Sequence, residues 1–240
     1  SKKKIKVYKK FNNYYKDFYQ SYFLSQKKNI PFIDAKIALS KDYLTINKRA
    51  KWITNQLSRK RTHLIRSEYD AIISTSKSIN KDNSLLNCRL SGFNQNKPDL
   101  IIIDLTLKIK TNLDLLKKIN QRKILVVTSV LNGKKISYLR KKGVKIISLK
   151  SLDKKNDFIN LFRILRKYGY NRVLVESGLV FLNKLLKEKL IFNLYLFQSS
   201  TKLGKNGKNN TSNKLLKKFS LKKKVNVNLN GDKLFKIKFK

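Results

Sequence analysis

The chain has 240 residues, 41% hydrophobic and 10% aromatic, enough to bury one large core or two small ones and too apolar for a disordered tail. Two prolines, eight glycines and a single cysteine, Cys88, exclude a collagen-like chain, an internal disulfide and a cysteine-rich zinc site. The formal charge of +43 suggests a nucleic-acid partner, but 47 of the 57 basic residues are lysines and only 10 are the arginines that read phosphates and bases best. These lysines run along the whole chain, and asparagine, isoleucine, tyrosine and phenylalanine, which share A/T-rich codons with lysine, are abundant too. Genome composition acting on a solvated surface therefore explains most of the charge, and nucleic acid is not the expected partner.

No apolar run approaches the ~20 residues of a membrane span, and the basic start is not followed by the apolar stretch of a signal peptide. A cytoplasmic location is expected. There is no methionine, even at position 1, so residue 1 is expected to be the cut edge of a longer chain. One histidine, His63, leaves little room for imidazole chemistry, and no metal site is expected.

In chain order, residues 5–8 read as a short strand, followed by an aromatic helix carrying Phe11, Tyr14, Tyr15, Phe18, Tyr19, Tyr22 and Phe23 at helical spacing, expected to pack at a domain edge. Residues 1–30 thus form a connector, and 31–240 the main domain. There, strands are predicted at 32–39, 69–74, 100–104, 123–128, 144–149 and 172–176. Helices are predicted at 54–66 with Thr54 as N-cap, 113–119, 134–142 ending at Gly143, 157–168 ending at Gly169, and 179–188. Later come strand-like stretches at 190–197, 223–229 and 234–239 and a helix at 213–219. Alternating strands and helices give a mostly parallel sheet covered by helices. The last two strands, joined by Asn230-Gly231-Asp232, add an antiparallel hairpin at one edge. The fold class is α/β with a mixed sheet.

Ligands of such sheets bind beyond the carboxyl ends of the strands, and three of those ends are polar. Lys36, Ser40 and Asp42 close the first strand; the lysine suits a phosphate or a sugar hydroxyl, or simply solvent. Hydroxyls cluster from Ser74 through Ser78 to Asp82, suiting phosphate or ribose groups or making an ordinary serine-rich loop. Glu176, one of only three glutamates, precedes Ser177-Gly178 and a helix beginning at Leu179. Glycine there admits a ligand to the backbone and the helix dipole favours an anion; a buried polar cap is the other reading. On the helix at 54–66, Arg59, His63 and Arg66 share one face, two cations suited to a phosphorylated substrate. Trp52, the sole tryptophan, is either a core anchor or a stacking platform. Walker, GxSxG and zinc-deaminase motifs are absent.

In order, these pieces resemble the reductase domain of the bifunctional riboflavin-biosynthesis deaminase/reductase. The segment from Pro31 through Lys36 and Ala38 to Asp42 is similar to that family's RPfVxlKxAxSLDG strand. Trp52-Ile53-Thr54 with Arg59 and Arg66 resembles WITxxxaRxxxhxlRa. Asp70-Ala71-Ile72, then Ser78, Asp82, Leu86 and Arg89, resembles xDAIlxGxxTvxxDdPxLxxR, and Val175-Glu176-Ser177-Gly178 resembles vEgG. The resemblance implies a dihydrofolate-reductase-like fold, NADPH as cofactor, and reduction of the ribosyl group of 5-amino-6-(5-phosphoribosylamino)uracil to the ribitylamino product. It implies cofactor contacts at Ala38, Trp52, Ser78, Asp82 and the Gly178 turn with Leu179 and Val180. Substrate contacts fall on Ala50, Arg66, Leu86, Arg89 and Glu176, and Lys36, Asp82 and Glu176 are the expected catalytic set. It further implies a phosphorylated pyrimidine as substrate, a homodimer, and a deaminase domain ahead of this one in the parent chain.

The chain departs from that pattern at Tyr43, where the family has glycine, at Ser84 for proline and at Ser78 for threonine. Ala50 stands for a serine, which removes a substrate hydrogen bond worth about 1 kcal/mol. A pterin or other pyrimidine reductase of the same fold, or a basic nucleic-acid-binding module, are the competing readings.

Overall fold

The computed structural model describes Tyr19, Tyr22, Phe23 and residues 26–93, 98–221 and 224–239. Its strands are β1 (Phe32–Leu39), β2 (Ile46–Asn47), β3 (Ala71–Thr75), β4 (Asp99–Ile103), β5 (Ile124–Thr128), β6 (Lys145–Ser148), β7 (Arg172–Val175), β8 (Asn193–Gln198), β9 (Gly207–Lys208) and β10 (Lys233–Lys238). Its helices are α1 (Gln56–Arg66), α2 (Ser76–Asp82), α3 (Asp114–Lys117), α4 (Lys134–Lys141), α5 (Lys155–Lys167), α6 (Leu179–Lys187) and α7 (Lys214–Lys217). Among the described residues no helix is long and apolar enough to cross a membrane.

Uninterrupted apolar runs make the central strands: Leu100–Ile102 and Leu125–Val127 are wholly buried because helices cover both faces of the sheet. The order is β10-β8-β1-β7-β3-β4-β5-β6, parallel throughout except for β10. On one face Ile33, Ala35, Ile37 and Leu39 of β1 pack with Phe158, Phe162 and Leu165 of α5 and Leu182 and Leu185 of α6. On the other, Ile72, Leu100, Ile102 and Leu174 pack with Ile65 of α1, Ile79 of α2, and Ile136 and Leu139 of α4. The chain runs from β1 through α1 to β3 and leaves a slot between them that β7 fills about a hundred residues later, pairing Ala35 with Val175 on one side and Ile73 with Val175 on the other. Both faces and both edges of β7 are thus enclosed, and its carboxyl end opens at the centre of the sheet.

Several expectations need correction. The N-cap of α1 is Asn55, whose Oδ1 accepts from Ser58 N at 3.0 Å, rather than Thr54. The serine-rich stretch after β3 is the helix α2, capped by Thr75 and anchored where Ser76 Oγ donates to the buried Asp104 at 2.7 Å. The edge ladder is antiparallel, but β10 forms it with β8; among the described residues of the stretch at 223–229, Lys224 bridges to Phe235 and Val225 N donates to Leu234 O at 2.8 Å. Asp232, in the turn before β10, is buried and accepts from Ser58 Oγ at 2.7 Å and from the amides of Asn55 and Ser200, which fixes the start of α1 against the end of β8. The strand expected at 5–8 and Phe11, Tyr14, Tyr15 and Phe18 lie outside the described residues. Tyr22 and Phe23 are helical and exposed, their rings meeting edge to face at 5.7 Å.

Candidate active site

The register of β1, β7 and β3 sets Lys36 and Ser74 on either side of Glu176, all three on the sheet face that α1 covers. Glu176 follows the last residue of β7, with its amide bonded to Ile73 O at 2.9 Å. Arg66, the last residue of α1, meets it with two parallel bonds, Nε to Oε1 at 2.5 Å and Nη2 to Oε2 at 3.0 Å. Such a fork on a planar carboxylate is the strongest side-chain pairing available to either group. Lys36 Nζ lies 3.9 Å from Oε2 and 5.5 Å over the Phe197 ring. Side-chain exposures of 7% for Glu176, 12% for Arg66 and 17% for Lys36 place the three charges in a largely desolvated setting. Burial raises the Glu176 pKa, but the Arg66 charge and its hydrogen bonds outweigh this and hold the carboxylate below its ordinary value. Burial lowers the Lys36 pKa, with Glu176 pulling it back up, so this ammonium gives up its proton more readily than a surface lysine.

A second cluster abuts the first. Arg66 Nη1 donates to the Asn87 carbonyl at 3.1 Å, and His63 Nδ1 approaches the same oxygen at 2.9 Å. Arg89 Nη1 donates to Asn87 Oδ1 at 2.9 Å. The loop carrying these groups is pinned by Arg122, whose guanidinium donates to the carbonyls of Leu86, Pro98 and Leu85. Leu86 itself is buried in the core, with φ at +49°. The charged group that acts on Arg89 is the cation Arg66, so an anion is the natural occupant of the space beside it.

Beyond the row lie the amino termini of α2 and α6. The Gly178 amide donates to Ser78 Oγ at 3.2 Å, and Thr75 Oγ1 donates to the same oxygen at 3.1 Å. Leu179 directs its side chain into the core, whereas Val180, one residue on, is 47% exposed. Trp52 is 52% exposed, which settles the core-anchor reading against it, and its ring is flanked by Lys51 and by Arg59 at 5.2 and 5.0 Å. Arg59 therefore serves Trp52 and Thr54 O rather than the His63 and Arg66 cluster with which it shares a helix face. Asp82 closes α2; partial desolvation raises its pKa while Lys81 and Lys51 counter this, so its carboxyl lies within electrostatic reach of the Trp52 loop. Ala50 is exposed in that loop, its amide bonded to Asn47 Oδ1 at 3.3 Å, and Ala38 is half-buried on the site face of β1.

Ser40 and Asp42 are structural. Desolvation raises the Asp42 pKa, but the carboxylate accepts from Ser40 Oγ, Leu203 N and Gly204 N, and these bonds together outweigh it and hold the group at about 2. The sequence reading missed Asn87, whose carbonyl and side chain organise both arginines, and Arg122; neither carries a local signal, because the partners come from separate loops. Among the described residues no three His, Cys, Asp or Glu side chains gather as a metal site.

The family model described as the RibD C-terminal domain matches residues 31–234. The riboflavin biosynthesis protein RibD of Buchnera aphidicola subsp. Baizongia pistaciae is 30% identical over 200 residues, 77% of this chain and 52% of that protein. The Aquifex aeolicus RibD is 28% identical over 169 residues, covering 70% of this chain and 46% of that protein. The chain thus spans about half the length of the curated relatives it matches. Among solved structures, Acinetobacter baumannii RibD superposes with a TM-score of 0.75 at 20% identity, over 93% of this chain and 62% of that one. The Saccharomyces cerevisiae riboflavin biosynthesis reductase Rib7 superposes with a TM-score of 0.67 at 23% identity, over 93% of this chain and 98% of that one. These likenesses identify the fold as the dihydrofolate-reductase-like one of the RibD reductase domains.

Proposed function

The chain belongs to the RibD C-terminal domain family, and from that premise we propose that it reduces the ribosyl group of 5-amino-6-(5-phosphoribosylamino)uracil to the ribitylamino product, with NADPH as hydride donor. One observation supports this most: the buried Glu176, gripped by Arg66 and approached by Lys36, opens at the central strand end beside the amino terminus of α6. That end combines a polar recess in which two cations face one carboxylate with a helix amino terminus whose first amide is held by Ser78 Oγ, the two surfaces that a polar pyrimidine and a pyrophosphate need. The family membership does not favour a nucleic-acid module.

The residues present fit a nicotinamide dinucleotide. The amides opening α6 at Gly178, Leu179 and Val180 suit its pyrophosphate. Ser78 and Thr75 offer hydroxyls beside them, Asp82 suits a ribose, and Ala38 is small enough on β1 for a flat ring to approach. Trp52 and Val180 are apolar surfaces that a bound ligand would cover. When bound, the cofactor supplies the hydride.

The protein's part is to orient and to handle the proton. Glu176 accepts hydrogen bonds from the pyrimidine while Arg66 fixes the carboxylate plane. Arg89 takes the phosphate, which anchors the far end of the sugar. In the ring-opened imine form of the sugar the C1′–O4′ bond is already broken and O4′ has taken the N–H proton. As hydride reaches C1′ the C=N pair passes to the nitrogen, and Lys36 Nζ gives the proton that nitrogen then takes up, a transfer eased by its lowered pKa. On this reading the substrate arises from a deaminase, the activity named beside the reductase in the description of the Thermotoga maritima homologue of the same fold, and two copies of the chain associate.

The test is turnover of the pyrimidine by the full chain with NADPH and with NADH. NADPH-dependent formation of the ribitylamino product is expected. Absence of both turnover and NADPH binding, with the chain folded, overturns the reading.

A further inference from the structure

The single histidine of the chain lies between the two arginines of the substrate recess, and its hydrogen bonds define its form. Nδ1 is 2.9 Å from the Asn87 carbonyl, which only accepts, and 3.5 Å from Arg66 Nη1, which only donates. We assign the proton to Nδ1 because the acceptor is the nearer of the two and Arg66 Nη1 is bonded to that same carbonyl. Nε2 is then a lone pair, and it lies 3.4 Å from Arg89 Nη2, a donor. The same Asn87 carbonyl takes Arg66 Nη1, and Asn87 Oδ1 takes Arg89 Nη1. The two terminal nitrogens of Arg89 are thus each held at one N–H by His63 and Asn87, while its remaining three N–H groups have no partner among the described residues.

We propose that His63 is a positioning residue for the phosphate end of the substrate: through Nε2 it orients the Arg89 guanidinium so that the unpartnered N–H groups are presented to the phosphate oxygens. This rests on the reading above, in which Arg89 takes that phosphate. The groups facing His63 are Arg66 from α1, Arg89 and the Asn87 carbonyl from the loop after α2, and Glu176 from the end of β7. Two cations and an occupied carboxylate surround it, so the ring stays neutral and serves as an acceptor. A protonated ring would have no lone pair for Arg89 and would repel it. Nothing in this arrangement needs His63 to touch the reacting atoms.

The geometry separates two conservative replacements. In His63→Gln the side-chain oxygen can occupy the Nε2 position and accept from Arg89. In His63→Asn the amide can occupy only the Nδ1 position, donating to Asn87 but falling short of Arg89. For the full chain, His63→Ala and His63→Asn are expected to raise KM for the phosphorylated pyrimidine about tenfold, the scale of one lost hydrogen bond to a charged group, with kcat and NADPH affinity within twofold of the parent. His63→Gln is expected to recover most of the loss. Affinity for the dephosphorylated pyrimidine is expected to be the same in all four proteins, and His63→Ala is expected to add nothing in an Arg89→Ala background.

Equal KM in the parent and His63→Ala, equal behaviour of the Gln and Asn variants, or an equal loss with the dephosphorylated compound each overturns the proposal. Should the parent fail to reduce the pyrimidine, the function reading fails separately; the comparison is then made on direct binding of the phosphorylated compound. Equal affinity of parent and His63→Ala there overturns the proposal as well.

Discussion

Arg66 and Glu176, which lie 110 positions apart in the chain, are joined by two parallel hydrogen bonds of 2.5 and 3.0 Å, and this pair ties the last residue of α1 to the residue that ends β7. It links the helix covering one sheet face to the strand at the sheet centre, so the recess and the packing beneath it share a support. A buried pair of this kind adds modest net stability, but removing one member strands the other. Glu176→Gln leaves both Arg66 and Lys36 without a counter-charge. A loss of about 3 kcal/mol in unfolding free energy is expected, read as a lower midpoint in urea, together with loss of pyrimidine turnover.

Lys36 provides a pH test. Its proton is present below its pKa and absent above it, and burial sets that pKa below the 10.5 of a free lysine. Turnover is therefore expected to fall on the alkaline side at a pH below 10.5, and Lys36→Arg, which keeps its charge, is expected to move or abolish that limb. Lys36→Met is expected to lower kcat by about 10²–10⁴-fold with NADPH affinity retained. A pH profile for kcat identical in the parent and the arginine variant would exclude Lys36 as the proton donor.

Gly178 separates folding from cofactor binding. Its backbone, at φ −66° and ψ 163°, suits any residue, and a Cβ there would rest in ordinary contact with Ser78 Oγ at 3.5 Å. Gly178→Ala is expected to change stability by less than about 1 kcal/mol. The methyl group would stand where a pyrophosphate approaches the amides, and NADPH affinity is expected to fall about tenfold, the scale of overpacking by one methyl group. Calorimetric titration beside a thermal melt reads both effects.

Trp52 gives the corresponding prediction for the exposed edge. Trp52→Ala removes no core contact, so stability is expected to stay within about 0.5 kcal/mol, while NADPH affinity drops about five- to tenfold through loss of ring contact. In the parent, quenching of this sole tryptophan by NADPH is the direct optical readout.

His63 also leaves a mark on stability. Burial first, then the charges of Arg66 and Arg89, lower its pKa from 6.5 in the unfolded chain to about 4. The unfolded chain then binds the extra proton between those values. This contribution to stability is present in full above pH 6.5 and is lost as the pH falls from 6.5 to about 4. His63→Gln, which has nothing to titrate, is expected to show a shallower decline of melting temperature over the same interval.

Wherever packing writes a pattern into neighbouring residues, the structure was legible. The runs Leu100–Ile103 and Ile124–Val127 announce strands, and Gly143 and Gly169, at φ +87° and +91°, end helices where the sequence reading put their ends. α2 was harder: Ser76-Lys77-Ser78-Ile79-Asn80 has weak helix propensity, and what makes it helical is a cap from Thr75 and the distant carboxylate of Asp104. β2 and β9 are two residues each and exist only because Ile46 and Lys208 meet across the fold. The site divides the same way. Lys36 and Glu176 were visible as polar residues near strand ends and Gly178 as the glycine opening a helix, whereas Arg122 and, in part, Asn87 act through backbone carbonyls, which no side-chain pattern records.

The late arrival of β7 between β1 and β3 has a consequence for biosynthesis. A nascent chain that has emerged only as far as α5 presents two strands of the sheet centre with facing, unpaired edges, and the residues that will flank Glu176 stand apart. In the native register β7 is the strand that closes that gap, with Val175 paired to Ala35 on one side and to Ile73 on the other. The recess therefore comes into being in one late event rather than growing with the chain, and products that stop short of residue 172 carry open sheet edges, the kind of surface that recruits chaperones or other such chains.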